Sequence, residues 1–276
     1  MESESPRRLI VNADDFGRSH SINQAVVRAH REGVLTSASL MVNESAFDEA
    51  VATAREHPRL GVGLHLTLVC GRAALGRDKI PGLVNSISAL PENPASTGAR
   101  YFFSSKLKRQ LRDEIAAQFE KFHSTGLELD HVNGHLNIHL HPTILKILLE
   151  NSERWRIKRL RLTTEPFLLN CRMSSGHWFY RLSHAFIFRV LANRARPLLA
   201  QKKIVHTKNV FGLLQNSCVD DNYILKLLPE LPCGDSELYS HPSLDDFKHE
   251  FDALVSPSVK SLVEELGIQL IRYQDL

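Results

Sequence analysis

The side chains best suited to chemistry crowd into one stretch, Leu127 to Pro142, which reads LELDHVNGHLNIHLHP. From His131 to His141 the odd positions are His131, Asn133, His135, Asn137, His139 and His141, and the even positions are small or apolar. Four of the chain's 14 histidines fall in these eleven residues. Strict alternation puts the polar set on one face of an extended strand. A helix would also align His131, His135 and His139, although Gly134 and two Asn oppose a helix interior. Imidazoles sharing a face can hold a metal or move protons. Three other segments offer partners: the adjacent pair Asp14-Asp15, then His65, then His241-Pro242. A carboxylate with two imidazoles suits a divalent cation and leaves positions open for water and substrate. Side chains of adjacent aspartates on an extended backbone diverge, so one can bind metal while the other serves as a general base. Taken alone, Asp-Asp-Phe-Gly is also an ordinary turn sequence, and His before Pro is an ordinary helix start.

These residues need elements that bring them together. Leu9 to Ala13 is an apolar run expected as a buried strand, ending at Asp14. Ile22, Ala25, Val26 and Ala29 recur at helical spacing, with Gly33 as a stop. Thr36–Val42 is a second strand, Ala46–Glu56 a helix, and Leu60–Leu66 a third strand carrying His65. This β-α-β-α-β order is the pattern of a parallel sheet with crossover helices. Residues 70–103, rich in Gly, Pro, Ser and Asn, are expected as a long irregular insertion. Leu107, Leu111, Ile115, Phe119 and Phe122 mark an amphipathic helix, and Pro142 opens another. Ile157–Thr163, Lys203–His206, Glu237–Tyr239 and Ile268–Tyr273 are strand candidates, and 246–254 and 259–266 are helices. With no repeat and no linker, residues 1–276 read as one α/β domain with about seven parallel strands, a barrel rather than an open sheet. In such folds reactive groups gather at the C-terminal strand ends. Asp14-Asp15, His65, His135 with His139, and His241 all fall at or near such ends.

Composition is that of a globular protein, with 43% hydrophobic and 24% charged residues. A net charge of +3 gives no reason to expect a nucleic-acid partner. Cys70, Cys171, Cys218 and Cys233 form no CxxC pair, which argues against a thiolate zinc site or a disulfide framework. No signal-peptide pattern or membrane-spanning run is present, so a cytoplasmic location is expected. Residues 177–203 mix aromatic and aliphatic side chains with Arg and Lys and contain no acid. Such a basic amphipathic segment suits an anionic membrane surface, or a helix that packs on the core with a solvated basic face.

The segments Asn12-Ala13-Asp14-Asp15-Phe16-Gly17, Gly63-Leu64-His65-Leu66, His131-Val132-Asn133-Gly134-His135 running on to His139 and Pro142, and Glu237-Leu238-Tyr239-Ser240-His241-Pro242 together resemble the YdjC-like carbohydrate deacetylase family. The resemblance spans nearly the whole chain. It implies a distorted TIM-like (β/α) barrel similar to polysaccharide deacetylases, a divalent metal, usually magnesium though zinc or manganese fit the same donors, and a homodimer. It makes Asp15, His65 and His135 the metal ligands, Asp14 the general base and His241 the general acid. His131, Asn133 and His139 become supporting or substrate-side candidates. Asn133 and Asn137 depart from the common pattern, where many members carry Asp and His. Asn133-Gly134 and the stretch from Ser256-Pro257 to Tyr273 look closest to a subgroup associated with hopanoid biosynthesis. That subgroup implies an N-acetylglucosaminyl hopanoid as substrate and contact with the inner membrane surface. The competing readings are deacetylation of chitobiose or another soluble sugar, a different metal-dependent hydrolase on the same residues, and a carbohydrate- or lipid-binding protein without catalysis.

Overall fold

A computed structural model describes residues 6–215 and 217–276. The chain opens with β1 (Arg7–Phe16), α1 (His20–Glu32), β2 (Ser37–Leu40), α2 (Phe47–Glu56) and β3 (Gly61–Leu66). It continues with α3 (Pro94–Phe103), α4 (Ser105–Ser124), β4 (Val132–Gly134), α5 (Pro142–Glu150), α6 (Phe167–Met173) and α7 (Trp178–Gln201). It ends with β5 (Asn209–Phe211), α8 (Asp221–Leu227), β6 (Gly234–Ser240), α9 (Lys248–Val255), α10 (Pro257–Glu265) and β7 (Gln269–Leu270).

All named strand pairs are parallel, in the order β4-β3-β2-β1-β6-β5, with β7 beside the first half of β1. β1 is the axis of the sheet. Eight consecutive residues, from Leu9 to Phe16, are buried, as expected of a parallel strand covered on both faces. The result is a half-barrel wrapped by helices, the α/β architecture expected. Its open side is spanned by single bridges: Val132 pairs with Leu160, and Arg159 pairs with Val205. Val210 N–H then donates to the Thr164 carbonyl at 3.0 Å.

Several expected elements are shorter or different. Ile157–Thr163 makes bridges only, because the Arg161 carbonyl, which a regular ladder would use, accepts from His139 Nε2 at 2.9 Å. Lys203–His206 contributes one bridge, and the regular strand lies later, at Asn209–Phe211. Ile268–Tyr273 keeps two strand residues before Tyr273 enters a 3-10 turn. The insertion at 70–103 is irregular only to Asn93. Asn93 caps α3 by accepting from Ser96 N–H at 3.0 Å, and Pro94 supplies its first turn. Its Asn-Pro pair is therefore a helix start rather than loop punctuation.

The histidine stretch departs most. Its extended part is Val132–Gly134, and Leu136 and Asn137 then turn left-handed with φ of 52° and 56°. Six alternating polar residues do not share one face. Gly134 eases the close approach of β4 to β3, since a Cβ there would stand 3.0 Å from the Leu66 carbonyl oxygen and its neighbour would have to give slightly.

Candidate metal and catalytic site

β1 delivers Asp14 and Asp15 to the C-terminal end of the sheet, and its register with β2 slips between Ala13 and Phe16. Within that irregularity Asp15 takes φ of 64°. A left-handed backbone costs a non-glycine residue about 1–2 kcal/mol, an expense found mostly at working sites. It sends the two carboxylates different ways. Asp15 Oδ2 accepts from Arg18 Nη1 at 2.7 Å, while Oδ1 lies 3.0 Å from His135 Nδ1 and 3.2 Å from His65 Nε2. One donor atom from each of Asp15, His65 and His135 can be chosen so that all lie within 4.8 Å of one another, and all three residues are buried.

The register of β3 on β4 sets His65 beside Asn133. His65 Nδ1 is 2.8 Å from Asn133 Oδ1, and Asn133 Nδ2 donates to Asp14 Oδ1 at 3.2 Å and to Ser39 Oγ at 2.8 Å. The amide orientation is thereby fixed, and its oxygen requires a proton on His65 Nδ1. His65 Nε2 then presents a lone pair, buried and without a hydrogen-bond partner, toward the Asp15 carboxylate. Two electron-rich atoms in that position need a cation or a proton between them. The donor set, one carboxylate and two imidazoles, fits a divalent ion.

Asp14 lies in a different environment. Its Oδ1 accepts from Asn12 Nδ2 at 2.9 Å and Arg161 Nη2 at 2.9 Å as well as from Asn133, while Oδ2 accepts from Arg161 Nη1 at 2.7 Å. A further hydrogen bond, to water or substrate, therefore falls to Oδ2. Burial opposes the ionisation of Asp14, but the Arg161 guanidinium outweighs it and holds the carboxyl well below the usual range. Arg161 is fully buried and also donates to Glu237 Oε1 from Nε at 3.0 Å and Nη2 at 2.7 Å. Its plane lies over the Tyr239 ring, 4.3 Å from the centroid, and Glu237 accepts from the Tyr273 hydroxyl. Arg161, Glu237 and Tyr273 received no role from sequence reasoning. The local pattern Ile157-Lys158-Arg159-Leu160-Arg161-Leu162-Thr163 gives no signal for it, because Arg161 stands there among other basic residues and only its burial in the fold makes an unpaired charge intolerable.

The remaining histidines separate by contact. His131 stacks on Tyr273 at 4.3 Å between centroids. Ser39 Oγ, already accepting from Asn12 and Asn133, must donate to His131 Nε2, leaving Nδ1–H for Asp130 Oδ2 at 2.9 Å. His131 thus supports Ser39 and reaches no reacting group. His139 binds the Arg161 carbonyl, and burial pushes its pKa down to about 3, so it stays neutral. His141 caps α5 and holds the Gly98 carbonyl at 3.0 Å. Asn137 accepts from Thr163 Oγ1 at 2.7 Å.

His241 follows β6 at the same end of the sheet. It lines, with Asp14, Asn137 and Tyr239, a cavity of about 510 Å³. Its Nδ1 is 3.8 Å from Oε2 of the buried Glu250, a further partner not read from the sequence. The outer wall of the cavity is apolar, built by Leu136, Ile187, Phe188 and Leu191 with Ala95 and Ala99 of α3.

Several carbohydrate deacetylases are similar in sequence to this chain. A carbohydrate deacetylase of Brevibacillus brevis is 43% identical over 150 residues, which cover 54% of this chain and 57% of that protein. The stretch shared with that relative therefore spans little more than half of its length. A carbohydrate deacetylase of Clostridium beijerinckii is 27% identical over 98% of this chain and 100% of its own. A chitooligosaccharide deacetylase of Proteus mirabilis is 28% identical over 97% and 98%. Among solved structures, a protein of Enterococcus faecalis V583, described provisionally as a cellobiose-phosphate cleavage protein, superposes with a TM-score of 0.76 at 23% identity, covering 98% of this chain and 99% of its own. The family model described as YdjC-like protein matches residues 8–265, and the chain belongs to that family.

Proposed function

We propose that the chain is a hydrolase that removes the N-acetyl group from an amino sugar. The observation that carries this reading is the placement of Asp14, ionised and with Oδ2 open, directly beside the cluster of Asp15, His65 and His135. Deacetylase relatives aligned along nearly the whole chain support it.

Asp15, His65 and His135 would hold a divalent cation, with magnesium the choice by family resemblance, and it would supply Lewis acidity toward the acetyl carbonyl. Asp14 Oδ2 would take the proton of the attacking water as its oxygen bonds to the carbonyl carbon. Arg161 and Asn133 would keep Asp14 ionised and aimed. His241, held near Glu250, would protonate the sugar nitrogen as the C–N bond breaks, giving acetate and the free amine. Asp14→Asn is expected to retain metal and lose most turnover. His65→Ala and His135→Ala are expected to lose metal by elemental analysis.

The substrate we infer is an N-acetylglucosaminyl hopanoid, with the sugar at the polar floor and the apolar part along Leu136, Ile187, Phe188 and Leu191. This places the protein at the inner membrane surface in the cytoplasm, and the family resemblance adds a homodimer, checked by light scattering. A soluble sugar such as chitobiose is the second reading, favoured by the name of the Proteus mirabilis relative. Acetate release from an N-acetylglucosaminyl lipid and from chitobiose, with magnesium, manganese and zinc in turn, tests both. Faster release from the lipid is expected. Equal or faster release from chitobiose overturns the lipid substrate. Release from neither, or phosphate release from a phosphoester instead, overturns the deacetylase.

A further inference from the structure

Between Pro166 and Val219 the chain carries no acidic residue and eight basic ones: Arg172, Arg181, Arg189, Arg194, Arg196, Lys202, Lys203 and Lys208. α7 is the centre of that stretch. Its inner side packs Ala192, Ala195 and Leu199 into the core and lines the cavity with Tyr180, His184 and Leu191. An ordinary surface helix would turn its charges outward on the opposite side. α7 instead presents Phe179, Leu182, Phe186 and Val190, which are 89%, 60%, 69% and 43% exposed. At helical spacing these four occupy an arc of about 80°. Arg189 and Arg196 flank one edge of the arc and Arg194 the other. Among the described residues, none of these three arginines has a carboxylate within ion-pair distance.

The apolar exposure continues across the cavity mouth. α3 forms the other wall and ends in Phe102 and Phe103, the second 82% exposed. Phe102 packs edge-on against His141, with ring centroids 6.3 Å apart, and His141 lines the cavity. Leu136 and Ile187 are half exposed at the rim.

We propose that the outer face of α7, together with the end of α3, docks on an anionic lipid bilayer, with the cavity mouth turned toward the headgroups. Large apolar side chains bordered by arginines match the boundary between acyl chains and anionic headgroups. A second copy of the chain fits less well. A twofold contact places each patch against itself, and here that would oppose arginines with no acidic residue to neutralise them. The use of this face rests on the lipid-substrate reading, since it would let a membrane-held sugar enter the cavity without leaving the bilayer. The docking itself is measured independently of that reading.

The experiment is co-sedimentation of the full chain with vesicles of phosphatidylcholine alone or mixed with phosphatidylglycerol. Chitobiose deacetylation and light scattering are measured on the same samples. Wild type is expected to bind the anionic vesicles and to release as salt rises. Phe179→Ser with Phe186→Ser is expected to lower binding on the order of tenfold or more, from the apolar area withdrawn. Arg189→Glu with Arg196→Glu is expected to remove the preference for anionic lipid. Both pairs lie outside the cavity, so turnover of the soluble sugar is expected to stay at the wild-type level. No binding of wild type to anionic vesicles overturns the proposal, as does wild-type binding by the Phe variant. A Phe variant that turns a dimer into a monomer while vesicle binding is unchanged assigns the face to a second copy and also overturns it. Absence of acetate release by wild type from both chitobiose and an N-acetylglucosaminyl lipid would count against the deacetylase reading and leave the vesicle result standing.

Discussion

Arg161 is the residue whose replacement tests the site most severely. It is fully buried and ties Asp14 to Glu237, both also buried, through four hydrogen bonds between 2.7 and 3.0 Å. Arg161→Met keeps much of the side-chain length and removes the charge. Two carboxylates would then be left in the interior without a counter-ion, a change that costs about 3–5 kcal/mol when a buried pair is broken. At about 2–4 °C per kcal/mol for a domain of this size, the melting temperature should fall on the order of 10 °C. The pH dependence gives a sharper check. In the wild type, the Asp14 carboxyl is held below its ordinary value of 3.8, so it contributes stability at neutral pH that is lost as pH falls through the folded-state value. Without Arg161, burial dominates and raises Asp14 above that ordinary value. The variant's stability is then lost as pH rises through the raised value, so its deficit is largest near neutrality and narrows in mild acid. Urea unfolding of both proteins at neutral and mildly acidic pH measures this. Acetate release from the variant should gain an acid limb absent from wild type. Arg161→Lys keeps the charge without the planar fork and should fall between the two. A deficit below about 1 kcal/mol, or one that does not change with pH, would refute the account of Arg161 as the counter-ion of the base.

Three further outcomes are expected. Asn133→Leu removes the acceptor that holds the His65 proton on Nδ1, 2.8 Å away, and should weaken manganese binding by roughly 10–100-fold in calorimetry; unchanged affinity would show that Asn133 does not set the His65 tautomer. Gly63→Ala would put a Cβ 2.5 Å from the His131 ring, and overpacking of about 1–3 kcal/mol should appear in denaturant unfolding. His139→Gln can keep the donor to the Arg161 carbonyl while removing the titration. Because His139 has a folded pKa of about 3 against 6.5 unfolded, wild-type stability should fall as pH drops across that window. Its share of the slope is about 1.4 kcal/mol per pH unit, and the variant should lack that share.

Much of the site is legible in the chain because its members are polar residues at the ends of apolar strands, where a parallel fold gathers reactive groups. Asp14, Asp15, His65, His135 and His241 can be found this way, since local patterning sets where a strand ends and which residue follows it. Periodicity misleads between His131 and His141. A two-residue alternation looks the same whether the backbone continues as a strand or breaks, and here Leu136 and Asn137 turn left-handed after Gly134. What each histidine does was decided by tertiary contacts. His131 meets Ser39 and Tyr273, His139 meets the Arg161 carbonyl, and His135 joins His65 at Asp15. Arg161 shows the boundary between the two sources of information. Its buried charge is paired by Asp14, 147 residues away, and by Glu237, 76 residues away. A buried charge needs a partner, and only the closing of the sheet, which brings the bridged segment Ile157–Thr163 against side chains of β1 and β6, buries Arg161 and decides which partners it finds.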